Sequence, residues 1–261
     1  MRSDNITIAV DGLRLNGTLY IPQNGKLHYP AVCICHGLPA GPYNPSGSHY
    51  PVVAEKFCRE GFVTLIFNFR GAGYSEGNFE LSGWTQDLEA AVDLLCAINE
   101  VNTAKITVIG FSAGAAVGIC TAAADKRIAS VVAMACPADF SMMRREEAAE
   151  TAAHFREIGI IRDPDYPESI DSWYEGFINV SAIKCVEGIG PRPLLLVHGI
   201  KDDVVPFEHA QRLYKKAEGF GTLRVLEEAG HRLSRDDEAV NIALEWIKRT
   251  LHIDHDSAKD L

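Results

Sequence analysis

Residues 106–124 decide the fold, and they read ITVIGFSAGAAVGICTAAA. The first four residues are all β-branched, which favours a strand, whereas residues 113–124 are mostly small and compatible with a helix. Between these parts, residues 110–114 fit the pattern Gly-x-Ser-x-Gly, in which a sharp strand-to-helix turn presents a serine hydroxyl at the edge of a sheet. The stretch therefore predicts a buried strand, a tight turn that carries Ser112, and a buried helix.

A membrane-spanning helix is the alternative interpretation of this uncharged stretch. Gly110, Gly114 and Gly118 repeat at the spacing that lets transmembrane helices pack closely. The stretch changes from β-branched to small residues halfway, however, and small residues contribute little free energy of membrane insertion. We therefore expect no membrane span.

Apolar segments of strand length alternate with segments of helical period along the chain. The first two strands flank an Asp-Gly turn signal at residues 11–12, and several later strands are continuously apolar, as in a parallel sheet covered on both faces. The predicted strands cover residues 6–10, 13–21, 31–35, 62–67, 106–109, 128–135, 194–197 and 223–226. This pattern predicts an α/β fold with a mostly parallel central sheet and helices on both faces, in a single domain over residues 1–261.

Three segments show the apolar stripe of a helix that packs on a sheet. In the last of them, Ser234 and Asp237 resemble the capping box that starts a helix. The predicted stripes are Leu88, Ala91, Val92, Leu95 and Ile98, then Ala210, Leu213, Tyr214 and Ala217, and finally Val240, Ala243, Leu244, Ile247 and Leu251.

The alternation breaks over residues 138–183, which we interpret as a short cap insertion between two sheet strands. A helix is predicted over about residues 141–159, and turns that contain proline follow it. Insertions at the end of a sheet commonly build binding surfaces. The large apolar side chains of this segment either line a pocket or form local core, and both interpretations stay open for Phe140, Met142, Met143, Phe155, Trp173, Tyr174 and Phe177.

The composition excludes several classes of protein. The chain has 261 residues, of which 47% are hydrophobic and 23% charged, and this is the profile of a globular protein. Its net charge of −10 would repel nucleic acid and anionic membranes, so neither is an expected partner.

The seven cysteines indicate thiols in a reducing compartment, and the apolar run 6–10 is too short for a signal peptide, so we expect a cytoplasmic protein. Residues 33–36, Cys-Ile-Cys-His, lack the spacing of a zinc site, and no metal is expected.

A second Gly-x-Ser-x-Gly match covers residues 73–77 and contains Ser75. Its context differs, because residues 70–73 separate it from the preceding strand and no helical pattern directly follows the serine. Ser112 has a strand before it and a helix after it, so we predict Ser112 as the nucleophile. A helix N-cap is the alternative role for Ser112, but an N-cap does not need flanking glycines.

A nucleophilic serine needs a base that takes its proton and an acid that orients the base. Asp202 and Asp203 follow the predicted strand 194–197, and His231 follows the predicted strand 223–226. Taken singly, each has a structural alternative, since the aspartates can start a turn and His231 can be an ordinary loop histidine. The weaker candidates for the base are His36, His198 and His209.

Together these segments resemble the α/β-hydrolase superfamily, from about residue 6 to residue 251. The resemblance rests on His36-Gly37, residues 70–75, residues 110–114, His198-Gly199 with Asp202 and Val205-Pro206, and Gly230-His231. The chain is most similar to the serine aminopeptidase and cinnamoyl-esterase-like branches. Members commonly place the acid four residues before the proline of a Val-Pro pair, which favours Asp202 over Asp203. Asn68 stands where members often have aspartate, and we interpret this as structural variation.

The resemblance implies a serine hydrolase whose catalytic triad is Ser112, Asp202 and His231. It also implies an oxyanion hole, formed by the backbone N–H groups of Leu38 and Ala113, that binds the negative oxygen of the reaction intermediate. No cofactor is needed for this chemistry, and none is expected.

The predicted function is hydrolysis of a carboxylic ester with a small or medium acyl or aryl-acyl group, through an acyl-enzyme on Ser112. Thioesterase, amidase or peptidase, and acyltransferase activities use the same residues and stay open, as does a small-molecule receptor with little or no turnover. The glycines in residues 71–77 lack the spacing of a dinucleotide-binding loop, so no nicotinamide cofactor is expected. The expected partner is a small acyl substrate, and the sequence leaves the oligomeric state open.

Overall fold

The computed structural model describes residues 1–44 and 49–253, which form a sheet of eight strands. The strands are β1 (Arg2–Val10), β2 (Leu13–Ile21), β3 (Tyr29–Cys35), β4 (Val63–Phe67), β5 (Val101–Phe111), β6 (Ile128–Met134), β7 (Leu194–Gly199) and β8 (Gly221–Leu226). They lie in the order β1-β2-β4-β3-β5-β6-β7-β8. β1 and β2 form an antiparallel hairpin, β2 pairs antiparallel with β4, and the other pairs are parallel. The predicted hairpin and mostly parallel sheet are confirmed.

Burial on both faces explains why several strands are continuously apolar. Every residue of β7 and the last six residues of β5 are buried. Successive side chains of a strand point to opposite faces, so complete burial requires a covering layer on each side of the sheet. β1 lies at the edge of the sheet, and only Ile8 within it is buried.

Helices supply both covering layers. The helices are α1 (Tyr50–Arg59), α2 (Leu81–Ala97), α3 (Ala113–Ala124), α4 (Ala148–Glu157), α5 (Ile170–Asn179), α6 (Ala182–Cys185), α7 (Glu208–Lys216) and α8 (Asp237–Thr250). On one face, α1 and α8 bury Phe57 and Ile247. On the other face, α2, α3 and α7 bury Leu88, Ala116 and Leu213. The predicted fold class is confirmed. Within residues 1–44 and 49–253, no helix combines the length and the apolar character that crossing a membrane requires.

The start of α8 differs from the prediction. The side chain of Asp236 accepts a hydrogen bond from the backbone N–H of Ala239 at 2.9 Å, so Asp236 is the N-cap and the helix begins at Asp237. Ser234 is not the cap, because it lies in a short 3₁₀ turn over residues 233–235. The predicted cap therefore lies two residues before the observed one.

The helix predicted from about residue 141 begins only at Ala148. The chain before it turns sharply, and the side chain of Asp139 accepts hydrogen bonds from the backbone N–H and the hydroxyl of Ser141. Such local side-chain bonds compete with helix formation. A 3₁₀ turn over residues 145–147 then leads into α4.

The segment between β6 and β7 is attached to the rest of the protein by an aromatic cluster. Phe155 of α4 and Trp173 and Phe177 of α5 are buried, and they pack around Phe79, which precedes α2. The indole N–H of Trp173 also donates to the backbone carbonyl of Phe79 at 3.1 Å. These contacts favour the local-core interpretation of the three aromatic residues over an open pocket.

We predict that Phe177→Ala lowers the free energy of unfolding by about 3–5 kcal/mol, because it removes a buried ring and leaves a cavity. Urea unfolding followed by circular dichroism measures the loss. Tyr214, predicted above to be buried, is instead 45% exposed on α7, and Tyr214→Ala is the matched control with an expected cost below about 1 kcal/mol. A cost below about 1 kcal/mol for Phe177→Ala, together with altered ligand selectivity, would instead place Phe177 in a binding pocket.

Candidate active site

Ser112 lies at the sharp turn between β5 and α3, where its backbone has a φ of +53° and a ψ of −125°. This conformation is unfavourable for a residue with a Cβ atom. The flanking glycines are needed because the backbone is crowded here. A Cβ on Gly110 would lie 2.3 Å from Cα of Ala115, and a Cβ on Gly114 would lie 2.2 Å from the carbonyl oxygen of His36.

The structure brings together the three side chains that the sequence predicts as a triad. The Ser112 hydroxyl lies 3.0 Å from Nε2 of His231, and Nδ1 of His231 lies 2.9 and 3.0 Å from the two carboxylate oxygens of Asp202. Because a carboxylate only accepts, Nδ1 carries the ring proton and donates it to Asp202. Nε2 is then free to accept the hydrogen bond of the hydroxyl. Ser112 stands at the N-cap position of α3, but its side chain makes no capping hydrogen bond, so the alternative that its hydroxyl serves to cap the helix is wrong.

Asp202 is a buried carboxylate held by several donors. Burial by itself raises its pKa, but hydrogen bonds from His198, His231 and the backbone N–H of Val205 outweigh burial and hold the pKa well below its usual value. The backbone N–H groups of Val204 and Val205 donate to Oδ1 at 3.0 and 2.8 Å. Asp202 is therefore ionised at neutral pH, and its neighbour Asp203 is exposed.

The two predicted oxyanion-hole residues adjoin Ser112. Ala113 is the first residue of α3, and an N–H in the first turn of a helix lacks an acceptor within the helix. Leu38 follows Gly37, which packs so closely that a Cβ on Gly37 would lie 2.9 Å from Cβ of Ser112. Their role as donors to an oxyanion stays a prediction.

His36 is buried just after β3 and does not contact the triad through its ring. Its Nε2 accepts the backbone N–H of Phe69 at 3.1 Å, so Nδ1 carries the proton and donates to the carbonyl oxygen of Gly37 at 2.7 Å. Burial lowers the pKa of His36 from 6.5 to about 4, although the bond to Gly37 acts in the opposite direction. His36 is therefore a neutral linker between the Gly37 loop and the chain after β4.

Ser75, in the second serine motif, is completely buried. Its hydroxyl donates to the carbonyl oxygen of Asn68 at 2.5 Å and accepts the backbone N–H of Asn16 at 2.9 Å. Both bonds are made to backbone groups, so Ser75 joins the loop after β4 to β2. This geometry is that of a structural serine and agrees with the choice of Ser112.

Sequence analysis missed the contact between His198 and Asp202. The sequence offered His198 only as a weaker candidate for the base, whereas it is a buried residue of β7 with Nε2 at 3.3 Å from Oδ2 of Asp202. The four-residue spacing between them, directly at a strand end, is the one signal that pointed to this contact. The third weak candidate, His209, accepts the backbone N–H of Ala138 at 3.0 Å.

Within the described part of the chain, no group of three or more histidine, cysteine, aspartate or glutamate side chains is arranged to hold a metal ion. Cys33 and Cys35 pack into the apolar core on one face of the sheet. All seven cysteines are free thiols.

Residues 30–182 match the family model described as the alpha/beta hydrolase fold. The chain belongs to the α/β-hydrolase fold family, which confirms the resemblance at the level of the superfamily. The narrower likeness to the serine aminopeptidase and cinnamoyl-esterase-like branches stays a prediction.

Individual relatives extend the similarity over nearly the whole chain. The uncharacterized protein YfhR of Escherichia coli O157:H7 is 25% identical over 223 residues, which are 85% of this chain and 71% of YfhR. The crystal structure of the alpha/beta hydrolase GrgF from Penicillium sp. sh18 has a TM-score of 0.78 at 23% identity, covering 97% of this chain and 100% of GrgF. The structure of Est1E from Butyrivibrio proteoclasticus has a TM-score of 0.68 at 22% identity, covering 95% of this chain and 97% of Est1E. These structures share the fold of this chain.

The low pKa of His36 predicts a specific loss of stability in mild acid. Between pH 6.5 and pH 4 the unfolded chain binds a proton at His36 that the folded protein does not, so His36 makes stability fall as the pH falls. We predict that lowering the pH from 7 to 5 costs wild type about 2 kcal/mol more than it costs His36→Gln, in which the amide oxygen can still accept from Phe69. Urea unfolding at both pH values measures the difference.

His154→Gln is the matched control, because His154 is exposed on α4. This variant should keep the pH dependence of the wild type. Equal pH dependence in wild type and His36→Gln would contradict the assignment of His36 as a buried, neutral histidine.

Proposed function

We propose that the protein is a serine hydrolase that cleaves a carboxylic ester of a small or medium acyl or aryl-acyl group. The observation that carries this proposal is the continuous chain of hydrogen bonds from the Ser112 hydroxyl through His231 to the buried carboxylate of Asp202. This chain begins at the strained turn between β5 and α3, and the family to which the protein belongs supports a hydrolase.

In the proposed first step, the Ser112 oxygen attacks the ester carbonyl while His231 Nε2 takes the hydroxyl proton. Asp202 holds the ring by its bond to Nδ1 and stabilises the positive charge that develops on His231. The carbonyl oxygen becomes negative, and the backbone N–H groups of Leu38 and Ala113 would stabilise it. The C–O bond to the alcohol then breaks, and His231 returns the proton to the leaving alcohol.

In the second step, water replaces the alcohol. His231 takes a proton from the water, which attacks the acyl carbon on Ser112, and the serine leaves with that proton restored. The products are a carboxylic acid, an alcohol and unchanged enzyme. No step requires a metal or a cofactor.

We also propose a single domain with a cap over residues 138–183 and a small-molecule acyl substrate. The acidic net charge of −10 supports neither nucleic acid nor an anionic membrane as a partner. Free thiols at all seven cysteines are compatible with a reducing, cytoplasmic setting.

We predict that a fluorophosphonate labels the protein covalently on Ser112, because only an activated serine hydroxyl reacts with this reagent at neutral pH. Ser112→Ala should lose both the labelling and ester turnover, and Ser75→Ala should retain both once its folding is verified by circular dichroism. Peptide mapping locates the label. Turnover should be measured with esters, thioesters and amides of graded acyl length.

Each outcome has a distinct meaning. A label on Ser75, or ester turnover that survives Ser112→Ala, contradicts the assignment of the nucleophile. Tight binding of a small ligand without turnover of any substrate in the panel favours the receptor hypothesis. Faster turnover of thioesters or amides than of esters would keep the mechanism and change the substrate class.

A further inference from the structure

A second histidine, His198, lies against the carboxylate of Asp202 in addition to His231. His198 lies in β7 with a side chain only 1% exposed, and its Nε2 is 2.8 Å from the carbonyl oxygen of Val205 and 3.3 Å from Oδ2 of Asp202. The proposed mechanism assigns no role to this residue. Among residues 1–44 and 49–253, His198 and His231 are the only side chains that lie within ion-pair distance of this carboxylate.

The partners of His198 fix its protonation. A backbone carbonyl oxygen accepts and never donates, so Nε2 carries the proton and donates it to Val205, while Oδ2 of Asp202 lies 3.3 Å from the same nitrogen. The other ring nitrogen, Nδ1, is buried and has no hydrogen-bond partner in the described chain. A proton on Nδ1 would create a buried charge with an unpaired N–H, which is costly. His198 is therefore a neutral donor whose Nε2–H lies beside Oδ2 of Asp202.

We propose that His198 is a positioning residue that holds Asp202 in the orientation in which it meets His231; this inference rests on the proposed function. The two backbone N–H groups of Val204 and Val205 hold Oδ1, while His198 and His231 both approach Oδ2. Without His198, Oδ2 has one donor fewer, and the carboxylate is freer to rotate away from His231. A carboxylate that is turned away stabilises the protonated form of His231 less.

A purely structural role is the competing explanation. In that case His198 would only tie β7 to the turn at Val205, and its loss would lower stability without changing how the triad titrates. The titratable or charged groups near this part of the site are Asp202, His231 and His209, and Asp139, Arg212 and Glu208 act on His209.

Two substitutions separate the explanations. His198→Leu keeps the apolar volume and removes the donor, whereas His198→Gln can place an amide N–H near the position of Nε2. We expect His198→Leu to lower kcat for the ester roughly tenfold to a hundredfold, because a hydrogen bond to a charged group is lost. The acid limb of the kcat/KM profile should move down by about 0.5–1 pH unit, because a carboxylate that is turned away from His231 stabilises its protonated form less. His198→Gln should restore most of the rate and the wild-type pH profile.

His209→Asn is the matched control, because its amide oxygen can still accept the N–H of Ala138 and it does not touch Asp202. It should keep the wild-type profile. If His198→Leu does not fold, His198→Asn replaces it, since this shorter amide does not reach Oδ2. Melting temperatures of all variants are recorded alongside the kinetics.

Titration of His231 by NMR supplies a readout that does not depend on turnover. The proposal requires its midpoint to be lower in His198→Leu than in wild type and to return in His198→Gln. An unchanged midpoint and an unchanged acid limb in a folded His198→Leu protein overturn it, whatever the melting temperature. Absence of ester turnover in wild type would count against the proposed function, and the NMR titration would still decide the role of His198.

Discussion

The backbone turn at Ser112 is the constraint on which the rest of the site depends. A residue with a Cβ at a φ of +53° costs on the order of 1–3 kcal/mol, so the surrounding structure must hold it there. The backbone N–H of Ser112 donates to the carbonyl of Met134 in β6 at 2.8 Å, and its carbonyl accepts the N–H of Ala115 in α3 at 2.9 Å. The turn is thereby fixed by the neighbouring strand and by the helix that follows. Gly110 and Gly114 leave the room that this close approach needs.

The second requirement is a charged carboxylate in a buried position. Burial opposes ionisation of Asp202, and the structure offsets that cost with hydrogen bonds from two backbone N–H groups and two histidines. These donors all come from β7, from the turn after it and from the loop after β8. Because β5, β6, β7 and β8 are adjacent and parallel, their carboxyl ends bring these loops to the same edge of the sheet as Ser112. The sheet topology therefore sets the geometry of the site.

Features set by local pattern or by topology could be predicted from the sequence. The crowded turn needs glycines, and parallel strands place the segments after them at one edge, so Ser112, Asp202 and His231 could be found. Contacts set by side-chain direction could not be found in this way, and the bond between His198 and Asp202 is the main example. The prediction of where α8 begins was wrong for a related reason. Serine and aspartate both suit an N-cap, and only the three-dimensional structure distinguishes Ser234 from Asp236.

The central claim is that the Ser112 oxygen accepts an acyl group during turnover. Rapid acid quench of the enzyme with a p-nitrophenyl ester within the first turnover, followed by intact-protein mass spectrometry and peptide mapping, tests this directly. The account predicts a mass increase of one acyl group, located on the peptide that contains Ser112. Ester hydrolysis without any acylated protein at early times, or an acyl group on a residue other than Ser112, would contradict it.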